Sequence, residues 1–406
     1  MGTLIKFELR KILGNRAGIV ACALAFALCM ALAVGNLSTA VQRDIETGEV
    51  AQGFEAQQVF KQMALSHAGV LDDAHVAADA AALDRANELA AQVDGFADMD
   101  SQQIIDALGL EFWQQTRGVL NQQYYMELVG TLDATDPRAT SLQDGAWARI
   151  QVNLNNDPSE FTDAERDYWN AKAAEVSWPL EYGYAGAWDN ALAYASFEAL
   201  CIVALCIALS GAFAGEYQGG TAAVVLPTRR GKRALPVAKV AAALIFTTLY
   251  WWLCAVVAIA INVAVCGPEG LELPAQVVFN FANPYALTVG QAMLLVYGLG
   301  YLVALGMAAL TLWLSALMRS PMPVAVIPMA YSFLGLMGLF VSWRPLAKLA
   351  MLTPISGLNY AFGRMISYAA GSFVADLPTV LAVLYAAMVL VLTPLAIRAF
   401  KRHQVA

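Results

Sequence analysis

The chain has 406 residues, of which 59% are apolar and 14% charged, with a formal net charge of −8 and a mean hydropathy of +0.55. That composition excludes a water-soluble globule and describes a polytopic membrane protein. The acidic balance gives no support to nucleic-acid binding.

Residues 1–16 place Ile5, Leu9, Ile12 and Leu13 at i, i+4, i+7 and i+8, with Lys6, Glu8, Arg10, Lys11 and Arg16 elsewhere around the helix. The spacing predicts an amphipathic helix lying in the membrane interface. An apolar stretch, Ala17–Gly35, follows. A basic start and small residues near Ala31–Gly35 also fit a signal peptide; the length of the apolar run and the amphipathic first turns stand against that.

Five more stretches approach or exceed the ~20 residues that a helix needs to cross a ~30 Å hydrocarbon core. They are Ala193–Ala214, Val240–Cys266, Gln291–Met318, Val324–Trp343 and Pro378–Phe400. The predicted fold is therefore an all-α polytopic membrane protein with six transmembrane helices. It divides into 1–35, a long polar stretch 36–192, and a five-span part 193–406.

The stretch 36–192 carries 26 acidic and 8 basic residues. A solvated acidic face is the ordinary reading, and a cation-collecting funnel the alternative. Phe54–Leu65, Asp73–Val93 and Glu111–Leu128 contain few β-branched residues, which favours helices over sheet. Thr162-Asp163-Ala164-Glu165 forms a capping box, so a helix should start near 163. Breakers at Asp136-Pro137, Asn156-Asp157-Pro158 and Trp178-Pro179 separate the pieces. Tyr168, Trp169, Tyr182, Tyr184 and Trp188 then lead toward the second span and predict an aromatic belt at the membrane boundary, or a gate built from the same rings.

Lys and Arg orient the chain. Segments 1–16, 215–239, 318–323 and 398–406 hold 4, 5, 1 and 3 basic residues. Short loops so loaded stay inside, which predicts cytoplasmic termini and an extracellular, helical domain at 36–192. All six cysteines lie in predicted spans, so no disulfide staples the exterior; this suits a bacterial cytoplasmic membrane. Between the last two spans, 344–377 is too polar to cross, and short amphipathic or re-entrant helices are expected there.

Catalytic signatures are missing. No Gly-x-x-x-x-Gly-Lys-Ser/Thr loop exists, since Gly231-Lys232 is followed by Arg233 and Leu226 stands where the first Gly belongs. His67, His75 and His403 are isolated in sequence without zinc-ligand spacing, and no metal site is expected. No cofactor is expected to bind this chain directly, and no enzyme is read from it. One acid falls inside a predicted span: Glu198, near the outer end of the second. It either reaches back to the headgroups or contacts cargo or protons in a pathway.

The densest chemistry sits in 215–239. Glu216 precedes Gly219-Gly220-Thr221, where the glycines can end a helix and open a turn; Pro227 bends the chain, Arg229, Arg230, Gly231, Lys232 and Arg233 follow, and Lys239 starts the next span. The cations anchor the loop to anionic lipid or dock a protein. The pattern Glu216-x-x-x-Gly220-Thr221, Leu226-Pro227-x-Arg229-Arg230-Gly231, Ala238-Lys239 resembles the ABC-2 family of ABC transporter permeases. So does Glu8-Leu9-Arg10-Lys11 just before the first span. The resemblance covers 1–35 and 193–406. It implies an elbow helix at the N-terminus, a partner ABC ATPase that binds ATP and Mg²⁺ and docks against 215–239, pairing with itself or a related permease, and ATP-driven export. A sensor or assembly factor with a ligand-binding outer domain, and an ion-gradient-driven transporter, are the rivals; no internal repeat supports the latter.

Overall fold

A computed structural model describes residues 1–120, 123–132, 141–156, 160–221, 224, 228, 231, 233–337 and 344–402. Helix α1 (Gly2–Gly14) and helix α2 (Arg16–Thr39) meet at Asn15, whose side chain accepts the Gly18 N–H and so caps α2. The Asn15 amide also donates to the Ala208 carbonyl at 3.2 Å. A Cβ at Gly18 would stand 2.6 Å from the Ala208 backbone, so glycine lets the two spans touch.

The polar stretch opens with a hairpin, β1 (Val41–Arg43) and β2 (Val50–Gln52). It continues through α3 (Phe54–Ser66), β3 (Gly69–Leu71), α4 (Asp73–Ala90), α5 (Ser101–Leu108) and α6 (Leu110–Trp113) to α7 (Gln123–Leu132), α8 (Leu142–Asn155) and α9 (Asp163–Ala173). The helix expected near 163 is α9, and its capping box is complete: Thr162 and Glu165 each accept from the other's backbone N–H. β4 (Leu180–Tyr182) pairs antiparallel with β3. The expectation of helices alone therefore needs correction. These three-residue strands are too short to show an alternating pattern, and a partner far along the chain is what makes them strands.

The second predicted span, Ala193–Ala214, is not one rod. It begins at the end of α10 (Gly186–Tyr194), passes a tight turn Ala195–Glu198 and runs through α11 (Ala199–Leu209) into α12 (Gly211–Gln218). The remaining apolar helices are α13 (Leu235–Cys266), α14 (Val289–Leu317), α15 (Pro321–Met337) and α18 (Leu377–Arg402). Among the described residues, five segments are long and apolar enough to span: α2, α11–α12, α13, α14 and α18. Helix α15, with 17 residues, is shorter, and the predicted continuation of the fifth span to Trp343 lies outside the described residues. Segment α11–α12 is the most enclosed; α2 and α18 are peripheral, with α18 packed along α14.

In 344–377 two short helices appear as expected, α16 (Arg344–Ala350) and α17 (Pro354–Tyr360). The rest is a hairpin, β5 (Ser367–Ala370) and β6 (Phe373–Asp376), which corrects the all-helical reading. Gly371 takes φ +67° in its two-residue turn, the conformation tight hairpins require.

This hairpin seats the polar domain. Lys172 of α9 pairs with Asp376 at 2.6 Å, and the Tyr285 hydroxyl donates to the same carboxylate at 3.2 Å. Lys348 pairs with Glu165 at 2.7 Å; Ser367 donates to Glu165, and Trp169 donates its indole N–H to Ser367 at 3.1 Å. Trp169 is fully buried, and the Trp188 indole donates to the Glu269 carbonyl. Tyr182 and Tyr184 are buried as well. The expected aromatic belt is therefore corrected: most of these rings are buried in protein, where the Trp169 and Trp188 N–H groups find partners, while the Tyr184 hydroxyl has none among the described residues.

Burial pushes the Asp376 carboxyl up, but the hydrogen bonds from Lys172 and Thr379 outweigh it and hold the group below its ordinary 3.8. Glu165 behaves alike: burial opposes, Lys348 and Thr162 win, and the group sits below 4.5. Burial likewise lowers Lys172, and Asp376 with Tyr168 more than reverses it, holding the amine above 10.5. Depressed acids add stability that is complete above their unfolded values and lost as pH falls through the folded ones; a raised lysine adds stability lost only as pH rises past its folded value. The seat should thus hold from about pH 5 to pH 10 and loosen below about pH 4. Lys172→Met strands a buried carboxylate and should cost about 3–5 kcal/mol. Adding Asp376→Asn, which keeps the acceptor for the Thr379 N–H, should recover most of that loss in thermal unfolding of the detergent-solubilised protein. A double variant as unstable as the single one would contradict the seat.

Candidate functional site

At the end of the bundle away from the polar domain, four charged side chains from three elements converge. Lys239, in the second turn of α13, lies 2.8 Å from Glu8 of α1 and 2.9 Å from Glu216 of α12. Lys11 reaches Glu216 at 2.6 Å and stands 3.8 Å from the other Glu8 oxygen. Glu8, Glu216 and Lys239 are 3%, 7% and 4% exposed. Lys11 is about half in solvent.

The local sequence explains each placement. Glu8 and Ile12 are one turn apart on α1 and form its buried face, while Leu13 is exposed. This corrects the predicted apolar stripe: Glu8 belongs to the inward face because Lys239 waits for it, a partner 231 residues away. Glu216 lies inside helix, so the loop read as 215–239 is shorter at both ends: α12 runs to Gln218 and α13 starts at Leu235. The glycines act as expected. Gly219 caps α12 and Gly220 turns with φ +69°. Thr221 then folds back, its hydroxyl donating to the Glu216 carboxylate. The Lys239 ammonium also sits 6.0 Å over the Phe213 ring.

Of the remaining predicted residues, Arg10 and Arg233 are exposed, and Gly231 is buried with its N–H donated to Thr228. Pro227, Arg229, Arg230 and Lys232 lie outside the described residues. Glu198 is not brought to this cluster. It lies about 27 Å away along the same span at ~1.5 Å per residue, 3% exposed, and neither carboxylate oxygen has a hydrogen-bond partner among the described residues. The headgroup reading of Glu198 is thereby corrected: the turn Ala195–Glu198 points the side chain inward.

Sequence reasoning missed Ser315. Span two breaks at Ser210, and the Ser315 hydroxyl of α14 mends the break, accepting from the N–H groups of Phe213 and Ala214 at 3.0 and 2.9 Å and donating to the Ser210 carbonyl at 2.7 Å. Broken backbone at membrane depth survives only where protein satisfies it. The signal was a lone serine in each of two apolar runs. His67 and His75, read as isolated, are also brought together, beside Asp79; His403 lies outside the described residues.

The cluster ties the N-terminal helix to the inner ends of spans two and three, and those are the segments whose motifs resemble one transporter family. The family described as ABC-2 family transporter protein matches residues 3–405. The chain belongs to that family. No curated protein and no solved structure matches it. ABC-2 permeases are multi-pass membrane subunits of transporters, and the match includes the polar domain as well as the spans.

Energetically the four charges are unequal. The half-exposed Lys11 contributes about 0–1 kcal/mol. Lys239 has no water to fall back on, and removing it leaves two acids buried against each other. Lys239→Met should therefore destabilise the permease by about 3–5 kcal/mol, against about 1 kcal/mol for Thr221→Val, which removes one hydrogen bond. Thermal unfolding of both variants checks the order; equal effects would show that the buried cation is not the centre of the cluster.

Proposed function

We propose that this permease is the membrane subunit of an ATP-driven exporter in a bacterial cytoplasmic membrane, with both termini cytoplasmic and the polar domain outside. In this reading α1 is an elbow helix in the inner leaflet, and the permease pairs with a second copy or a related permease. Two ABC ATPase chains bind ATP and Mg²⁺ and dock under the basic segment that holds Pro227, Arg229, Arg230, Gly231, Lys232 and Arg233. Family membership and the Lys/Arg bias toward that end support it.

The observation that carries the proposal is the cluster of Glu8, Lys11, Glu216 and Lys239. In sequence, the docking segment begins three residues after Glu216 and ends two residues before Leu235, the first residue of α13. A push on that segment would therefore reach α12 and α13 through the chain itself, and α1 through the buried ion pairs. ATP-driven closure of the ATPases would shift the three helices as one body, the rigid-body element that alternating access needs. In this reading Glu198, buried at the other end of span two and without a hydrogen-bond partner among the described residues, meets cargo or a proton.

The test is co-purification. The tagged chain taken from membranes of its own host should bring down an ABC ATPase. Arg229→Glu with Arg230→Glu should reduce recovery at least tenfold, since misplaced charge at an interface costs several kcal/mol. If wild type brings down no ATPase, or both forms recover it equally, the docking reading fails.

A further inference from the structure

Two of the three histidines of this chain meet in the polar domain. His67 closes the C-terminal end of α3, and His75 lies in the first turn of α4, its N–H donated to the capping Asp72. Asp79 follows four residues later on the same face, because i and i+4 residues of a helix are neighbours. One ring nitrogen from each histidine and one carboxylate oxygen from Asp79 lie within 4.8 Å of one another. His75 Nε2 and Asp79 Oδ2 are 3.2 Å apart. All three residues are half-buried, which leaves a route for an ion from solvent.

A second set of groups holds the carboxylate. The Tyr124 hydroxyl donates to Asp79 Oδ2 at 2.9 Å and the Tyr125 hydroxyl to Oδ1 at 3.2 Å. The His67 ring stacks on Tyr124, with centroids 4.6 Å apart and planes 12° from parallel, and meets Tyr125 edge-on at 4.9 Å. Orientation of ligands by hydrogen-bonded neighbours is what a metal site requires beyond the ligands themselves. Each carboxylate oxygen carries two lone pairs, so a bond from tyrosine leaves one free.

We propose that His67, His75 and Asp79 bind a divalent transition-metal ion of the zinc class. Two imidazole nitrogens and one carboxylate oxygen are the donors that zinc, cobalt and nickel accept, and three protein ligands leave a fourth position open to water or to another molecule. Donors around a tetrahedral zinc stand about 3.4 Å apart, from bond lengths of ~2.0–2.2 Å. The His75 and Asp79 donors already stand at that spacing. The His67 donor lies within 4.8 Å of both. The ion would clip the end of α3 to the start of α4, across the loop that carries β3. This goes beyond transport and does not depend on an ATPase.

The probe is Co²⁺, followed by Zn²⁺, on the full chain in lipid nanodiscs, purified without a polyhistidine tag. Wild type should bind one equivalent of Co²⁺ with the visible absorption of a low-coordinate site, and Zn²⁺ should displace it. His67→Gln, His75→Gln and Asp79→Asn should each weaken binding at least ~100-fold, and Tyr124→Phe about 10–100-fold through loss of orientation. Zn²⁺ should raise the thermal midpoint of wild type and not that of the His67→Gln protein, each measured against its own metal-free midpoint. The proposal is overturned if wild type binds no stoichiometric Co²⁺, or if the three ligand variants bind it as wild type does. Either result would leave His75, Asp79 and the two tyrosines as an ordinary hydrogen-bonded brace.

Discussion

Lys239 is a cation almost without access to solvent, held by carboxylates from two elements distant in sequence, Glu8 and Glu216. Taking an ammonium out of water is costly unless its partners are close and well aligned, so the position of Lys239 dictates where α1 and α12 must be. A buried pair of this kind contributes less to net stability than to registry, since apolar side chains of similar volume would often serve as well. Three helix ends are thereby forced into one arrangement. The charges balance, two acids against two lysines, so the cluster carries no net field into the bundle.

The same economy of polar groups recurs along span two. At Ser210 the helix is interrupted, and one hydroxyl from Ser315 satisfies three backbone groups. Below that point α12 carries Glu216 as a short separate helix; above it α11 is packed on nearly every side. An interruption placed between a charged end and a buried rod lets one move against the other at the cost of a few hydrogen bonds. Phe400 of α18 packs on Phe213 and Tyr217, so the last span is joined to the same short helix. At the far end the polar domain is fastened by Lys172, Asp376, Lys348 and Glu165.

What could be read in the sequence follows the range of the physics involved. Apolar length announced the spans, and Thr162 with Glu165 announced α9, because both signals are complete within a few residues. Glu216, Lys239, Glu8 and Lys11 were all legible as site residues from motif resemblance, but not their pairing: hydrophobic periodicity assigns Glu8 to the wet side of α1, and only a lysine 231 residues away reverses that. The β5–β6 hairpin and the β3–β4 pair were invisible for a related reason, since strands of three or four residues take their identity from a partner. Trp169 and Trp188 read as membrane-boundary residues because amphipathic rings suit a lipid interface and a protein seam equally. His67 and His75 looked isolated because residue spacing does not show the turn through β3 that brings the end of α3 to the start of α4.

The central claim is that α1, α12 and the start of α13 move as one body through Lys239. Hydrogen exchange of the reconstituted permease, wild type against Lys239→Met, addresses it directly. The account predicts faster exchange together in 2–14, 211–221 and 235–243, with the amides of α9 and the β5–β6 hairpin unchanged, because removing one buried cation releases all three ends and nothing at the seat. Faster exchange confined to 235–243, with α1 and α12 as protected as in wild type, would contradict it.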